Sequence, residues 1–252
     1  RGALRQYAEY LLRMQPAEGC FSMAGSWYET SYPVRTLLAA GRLLNEPRYT
    51  EAALRSLDRF VDDQLEDGNW PAGFFGHAGC PLAVETRVEP KSANLADVGT
   101  VCIALSVAHR EVDEARRERY LRAVVRYADT YVLPNQLESG AFPNLRFAGT
   151  VYHNPYSVAT GVQMANLAGL YALTDDRRYL AAAEAAARFL LANFTIDNKI
   201  NFYAFDSDHP APLQLIRFGD LYYLLEGLLW VQRYTDDTKL ANDIQERFRT
   251  II

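Results

Sequence analysis

The chain has 252 residues, 49% hydrophobic and 23% charged, with a formal net charge of −5. These proportions are ordinary for a globular protein and exclude disordered, collagen-like and coiled-coil classes. An acidic chain has no basic field to gather phosphates, so nucleic acid is not an expected partner, and no apolar run reaches the roughly 18 residues of a membrane span. Three cysteines are too few for a disulfide scaffold. No secretory leader pattern opens the chain, which favours the cytoplasm. Arg1 stands where an initiator methionine is expected, which implies processing or trimming and leaves an upstream signal open. Residues 1–252 read as one domain, trimmed or part of a longer chain.

Residues 3–14 place Leu4, Tyr7, Ala8, Leu11 and Leu12 at three- and four-residue spacing, an amphipathic helix. Four helical pairs follow, at about 31–44 with 48–65, 93–109 with 113–132, 156–173 with 177–193 and 217–234 with 237–251. The first helix of each pair is apolar nearly all round, as in Val98–Ala108, Val158–Leu173 and Leu221–Val231. The second carries a charged stripe, as in Glu114–Arg126 and Asp237–Arg249. A helix apolar on every side is enclosed by protein and a striped one meets water, so the order reads inner helix, outer helix, repeated. Gly161 and Gly169, on the most apolar helix, are placed to permit close helix approach. No period-two run with a hairpin turn stands out, although short strands fit within the loops.

Two motifs recur along the chain. The joints inside pairs read Asn45-Glu46-Pro47-Arg48-Tyr49, Thr174-Asp175-Asp176-Arg177-Arg178-Tyr179-Leu180 and Thr235-Asp236-Asp237-Thr238-Lys239-Leu240. Each gives a capping acid or amide, a basic residue and an apolar anchor. At the other end of the pairs, Gln15-x3-Gly19-x-Phe21, Gln64-x3-Gly68-x-Trp70 and Gln136-x3-Gly140-x-Phe142 share one spacing, with a decayed copy at Asn198–Phe202. Glycine there takes the left-handed conformation that ends a helix, and the aromatic folds back onto that end. Units that cannot bury their own faces and repeat in this way mark a repeat architecture.

The Gln-x3-Gly-x-Trp/Phe pattern resembles the repeat of α-toroid proteins, among them triterpene cyclases and protein prenyltransferase β chains. The Thr-Asp-Asp-Arg-Arg-Tyr-Leu joint looks like those of six-hairpin glycosidases, sugar 2-epimerases and unsaturated glucuronyl hydrolases, and polysaccharide lyases belong to the same set. The resemblance implies an all-α toroid of about four to five helical hairpins, smaller or more open than a closed (α/α)6 barrel, or a piece of a longer protein. It specifies the fold and leaves the reaction open.

Inner-to-outer turns are short, whereas outer-to-inner loops run about 66–91, 134–155 and 195–216. Parallel inner helices put all long loops at one end, a mouth above the inner N-termini, where function usually resides. Aromatics beside carboxylates and amides there suit a polyhydroxylated ligand, so carbohydrate is the expected substrate. The expected binding set is Trp27, Glu29, Trp70, His77, Asn154, Tyr156, Tyr203 and Arg217. The expected catalytic set is Asp97, Asp220, His153, Tyr152 and Asp208. Each has a structural alternative. Asp97 and Asp220 equally suit helix caps, Trp70 and Phe142 suit helix-end packing, and Asp206–Pro210 suits an Asx turn. A hydrolase draws its acid and base from Asp97, Asp208 and Asp220. A uronate lyase or epimerase uses Tyr152, His153, Asn154 and Arg217. A non-catalytic toroid binding a glycan or a protein is the third reading. Zinc through Cys20, His77 and Cys80 is the weaker alternative to no cofactor, because the local ligand motifs of zinc-holding toroids are missing. Terpenoid chemistry loses ground for lack of a DxDD motif.

Overall fold

The computed structural model describes residues 1–15, 19, 21, 27–70, 95–147, 150–193, 195–196, 199–203, 209, 211–212 and 220–251. Among them lie nine α-helices: α1 (Gly2–Met14), α2 (Trp27–Leu44), α3 (Pro47–Asp62), α4 (Leu95–Ala108), α5 (Glu114–Tyr127), α6 (Ser157–Thr174), α7 (Arg177–Asn193), α8 (Leu221–Tyr234) and α9 (Thr238–Ile251). A hairpin of β1 (Leu145–Phe147) with β2 (Thr150–Tyr152) and three short strands, β3 (Thr195–Ile196), β4 (Lys199–Phe202) and β5 (Ala211–Pro212), occupy outer-to-inner loops. The inner helices pack in sequence, α2 on α4, α4 on α6 and α6 on α8, each with its outer partner behind it. This is the inner–outer alternation read from the sequence.

Some boundaries differ from the sequence reading: α3 ends at Asp62 rather than residue 65, and α5 gives way at Ala128–Val132 to a wider π-helical turn. Helix α2 starts at Trp27 rather than residue 31, which moves Pro33 into its interior. Proline has no N–H, so the Glu29 carbonyl loses its helical donor there. Within the fourth, decayed motif copy Lys199–Phe202 forms strand β4, and α7 ends at Asn193 as the sequence reading placed it, with the Asn193 side-chain amide donating to the Phe189 carbonyl at 2.8 Å.

Helix α6 is the hub. Every residue from Ser157 to Leu170 is buried. A Cβ at Gly161 would lie 2.6 Å from the Tyr223 carbonyl oxygen of α8. A Cβ at Gly227, on α8, would in turn collide with the Gly161 carbonyl. The two glycines thus let two backbones meet where no side chain fits. Gly169 has no such role, since the nearest atom to its Cβ position is Trp230 at an ordinary 3.7 Å.

The outer layer is stapled by the repeated motifs. The Gln15 side-chain amide donates to the Ala52 carbonyl of α3 at 2.8 Å. That of Gln64 donates to Gly68 at 2.8 Å and to Ala123 of α5 at 2.9 Å. That of Gln136 donates to Gly140 at 2.9 Å and to Ala182 of α7 at 2.8 Å. Each glutamine closes its own turn or joins the next outer helix, in the latter case adding a second hydrogen bond to a carbonyl with two lone pairs. Gly19, Gly68 and Gly140 take φ of +87°, +91° and +90°. They lie beyond the helices, which close earlier at Gln15, Asp63 and Gln136, so glycine serves the turn that follows rather than the helix end. Tyrosines of the outer helices, Tyr49 and Tyr179 from the joints and Tyr120 from within α5, tie each outer helix to the one before. Tyr49 donates to Glu9 at 2.7 Å, Tyr120 to Asp58 at 2.8 Å and Tyr179 to Asp129 at 3.0 Å. Burial, reinforced by the bond to Asp58, pushes the Tyr120 hydroxyl well above its usual range.

At the ends of the inner row, Arg35 of α2 forms a two-pronged ion pair with Glu226 of α8, and Tyr32 lies edge-on to Tyr222 at 5.6 Å. These contacts link the first inner helix to the last.

Two expectations follow from this packing. Gly161→Leu should cost on the order of 1–3 kcal/mol by overpacking, read as a lower denaturation midpoint at unchanged slope; an unchanged midpoint contradicts the α6–α8 contact. The second concerns acid. Asp113 is held below the usual carboxylate range first by the Arg116 backbone N–H, Asp176 by the Arg178 side chain, and Asp237 by the Leu240 backbone N–H. A depressed folded-state pKa contributes stability that is complete above the unfolded value and lost as pH falls through the folded one. The thermal midpoint should therefore decline below about pH 4, and Asp113→Asn with Asp176→Asn and Asp237→Asn should make that decline shallower.

Candidate functional site

The inner-helix N-termini meet the outer-to-inner loops at the mouth. The best described corner lies at the start of α4. The Leu95 backbone N–H donates to the Asn144 carbonyl at 3.4 Å, and the Leu95 carbonyl accepts the Gln163 amide of α6 at 2.6 Å. Gln163 in turn accepts from Asn166 at 2.9 Å, deep in the otherwise apolar α6. Asp97 follows in the first turn of α4, half-buried, and its backbone carbonyl accepts the Thr100 hydroxyl at 2.7 Å. The Asp97 charge also reaches Tyr127 of α5, whose hydroxyl is raised well above its usual range, first by burial and then by Cys102, Tyr131 and Asp97.

Leu145 has φ of +62°, a left-handed conformation that disfavours a branched side chain. Its antiparallel partner is Tyr152. The hairpin therefore brings Tyr152 beside Asn144 and Leu145, at the corner that holds Asp97. Asn144 is buried, and its side-chain oxygen has no hydrogen-bond partner among the described residues. A buried acceptor left open beside a strained residue is a mark of a binding site. The sequence analysis passed over Asn144, Gln163 and Asn166. Two amides three residues apart in an all-apolar helix were the available signal.

The neighbouring corner is more committed to structure. Tyr156 donates its backbone N–H to the Phe142 carbonyl at 2.9 Å, and its ring meets Phe202 edge-on at 6.2 Å. The Tyr203 backbone N–H donates to the Ser157 hydroxyl at 2.8 Å, and the Tyr203 hydroxyl donates to Asn193 at 3.2 Å. Tyr203 thus caps α6 and braces α7. His153 is exposed at the end of the hairpin, with Asn154 half-buried after it.

Trp70 requires a correction. It is fully buried, its indole N–H donates to the Phe60 carbonyl at 2.6 Å, and its ring meets Tyr127 edge-on at 5.5 Å. It seals the end of α3 and offers no face to a ligand. Asp220 precedes α8 as its N-cap residue, yet its side chain makes no capping hydrogen bond, so the capping explanation does not account for this carboxylate. Trp27 and Glu29 fall on the first turn of α2, but their side chains are outside the described set, as are Asp208, His77, Arg217, Cys20 and Cys80. Among the described residues no cluster of three metal-ligating side chains occurs, and no helix is long and apolar enough to cross a membrane. The described free cysteine, Cys102, is buried, which pushes its thiol pKa up.

No model of a known protein family matches the chain, and no curated protein matches it. Solved structures do match. A UGL in a structure with dGlcA-Glc-Rha-Glc superposes with a TM-score of 0.67 at 12% identity, over 98% of this chain and 66% of that one. A possible member of the GH105 family from Salmonella enterica subsp. enterica serovar Paratyphi A gives 0.63 at 17% identity, over 92% and 66%. A polysaccharide lyase gives 0.61 at 17% identity, over 89% and 65%. The chain spans between 55% and 66% of the length of such structures. At these identities the likeness establishes architecture alone: the chain has the α/α toroid fold of these structures.

Proposed function

We propose that the protein is a carbohydrate-active enzyme, a hydrolase acting on a uronic-acid-containing saccharide held at the inner-helix N-termini. The observation that supports this reading lies at the α4 corner, the open acceptor of buried Asn144. The Asn144 carbonyl accepts the backbone N–H of Leu95, two residues before Asp97, and Asn144 precedes the strained Leu145 that pairs with Tyr152. Support comes from the fold shared with a UGL crystallised alongside dGlcA-Glc-Rha-Glc. In this proposal Asp97 and Asp220 exchange protons with the leaving oxygen and the attacking water. Asn144 and Asn154 orient sugar hydroxyls, and Tyr152 and Tyr156 cover the apolar ring face. Helix N-termini favour the substrate carboxylate electrostatically. His153, Asp208, Tyr203, Trp27, Glu29, His77 and Arg217 remain candidates to complete the pocket.

A lyase reading is favoured by one observation, the seating of Tyr152 by the hairpin at this corner, since a lyase needs a base near the α-proton of a uronate. The two reactions differ in product. Elimination creates a carbon–carbon double bond and ultraviolet absorbance, while hydrolysis of a saturated saccharide creates only reducing ends.

The test is an assay on saturated and unsaturated uronate oligosaccharides with Asp97→Asn and Asp220→Asn. Each change should lower turnover about 10²–10⁴-fold with little change in thermal midpoint. Wild-type turnover in both variants, or no turnover on any acidic saccharide, overturns the reading.

A further inference from the structure

A cavity of about 330 Å³ opens at the end of the ring opposite the inner-helix N-termini, between the C-terminal halves of all four inner helices. We propose that it is a ligand site for a small oxyanion, a carboxylate- or phosphate-bearing molecule whose ring lies against Trp230. The site is independent of the reaction proposed at the mouth.

The walls are cationic on an acidic chain. Arg35 from α2 is spent on Glu226, and Arg42 approaches Glu111 at 3.5 Å. Arg110 and Arg233, both exposed, line the same cavity and have no ion-pair partner among the described residues. Arg233 is stacked over Tyr234 at 5.6 Å, and Tyr234 lies against Trp230 at 6.0 Å and 27°, so a guanidinium and two flat rings form a continuous wall.

Arg42 and Arg233 fall in the last turns of α2 and α8, where a helix end alone favours a cation. That preference does not explain Arg110, which lies beyond the end of α4. It explains still less of Ser106. This residue is 9% exposed and lines the cavity, and its hydroxyl has no hydrogen-bond partner among the described residues. A serine inside a helix usually returns its hydroxyl to a carbonyl one turn earlier; this one does not, and its hydroxyl lies sealed behind the cavity wall. Because four helix ends add partial negative charge, an anion must be gripped by the guanidinium forks themselves, a geometry suited to the paired oxygens of carboxylate or phosphate. The volume lies near the lower bound for small-molecule sites, which fits one ring rather than an oligomer.

The experiment is isothermal titration calorimetry of the intact protein with glucuronate, glucose 6-phosphate, inorganic phosphate and glucose. Glucuronate or glucose 6-phosphate should bind while glucose does not, with affinity falling as salt rises; the tighter of the two identifies the anionic group. Arg110→Gln with Arg233→Gln should weaken that binding at least about tenfold, the equivalent of a charged hydrogen bond. Ser106→Ala should weaken it less, and Asp97→Asn should leave it unchanged. No preference for anions over glucose overturns the site, as does full affinity in the double arginine variant. Inorganic phosphate binding as tightly as glucose 6-phosphate overturns the role of the aromatic wall. Loss of binding in Asp97→Asn places the anion at the mouth instead and also overturns the proposal, without bearing on the turnover test there.

Discussion

The close approach of α6 and α8 at Gly161 and Gly227 is the contact on which the rest of the ring depends. Both backbones occupy space that a Cβ would fill, and α6 is buried along Ser157–Leu170 between α4, α7 and α8. Moving α8 outward would break the pairing of Arg35 with Glu226 and separate Tyr32 from Tyr222. It would also splay the inner C-termini that wall the basal cavity. Close packing of this kind transmits displacement, since interiors are dense and deform little.

Around that hub the outer helices are held by polar repeats rather than by apolar burial alone. The side-chain amides of Gln15, Gln64 and Gln136 reach a carbonyl on the next outer helix, and Tyr49, Tyr120 and Tyr179 reach a carboxylate on the previous one. Of these residues, Tyr120 belonged to no motif. The spacing of the glutamines and the recurrence of Tyr49 and Tyr179 in the joints were plain in the sequence, and so was the need for glycine at Gly19, Gly68 and Gly140. Their partners were not. A motif shows that a residue recurs, whereas a hydrogen bond between consecutive units depends on how the units stack, which one unit's periodicity does not encode. Gly227 escaped notice for the same reason, because its role appears only once α8 is laid against Gly161.

The mouth was legible as a place and less so as a set of residues. Aromatic composition alone put Trp70 among ligand contacts, but burial and its bond to Phe60 make it a seal for α3. Asp97 and Tyr152 were proposed from their positions on a first turn and in a long loop; the structure pairs Tyr152 with Leu145 and ties Asn144 to Leu95 at the start of α4. Asn144 was missed because its significance lies in burial, an unmatched acceptor and the adjacent left-handed Leu145, none of which composition reveals. The division of the ring into a mouth of helix N-termini and a base of arginine-lined C-termini follows from the parallel inner helices, and it gives the two ends opposite electrostatic starting points.

The central claim is that saccharide is held at the N-terminal end of that ring. Hydrogen–deuterium exchange with and without a uronate oligosaccharide tests it most directly. The account predicts slowed exchange at Asn144–Ser157 and in the first turns of α4 and α8, with the basal ends of the inner helices unchanged. Slowed exchange confined to the C-terminal turns of α2, α4, α6 and α8, or none anywhere in the chain, would contradict it.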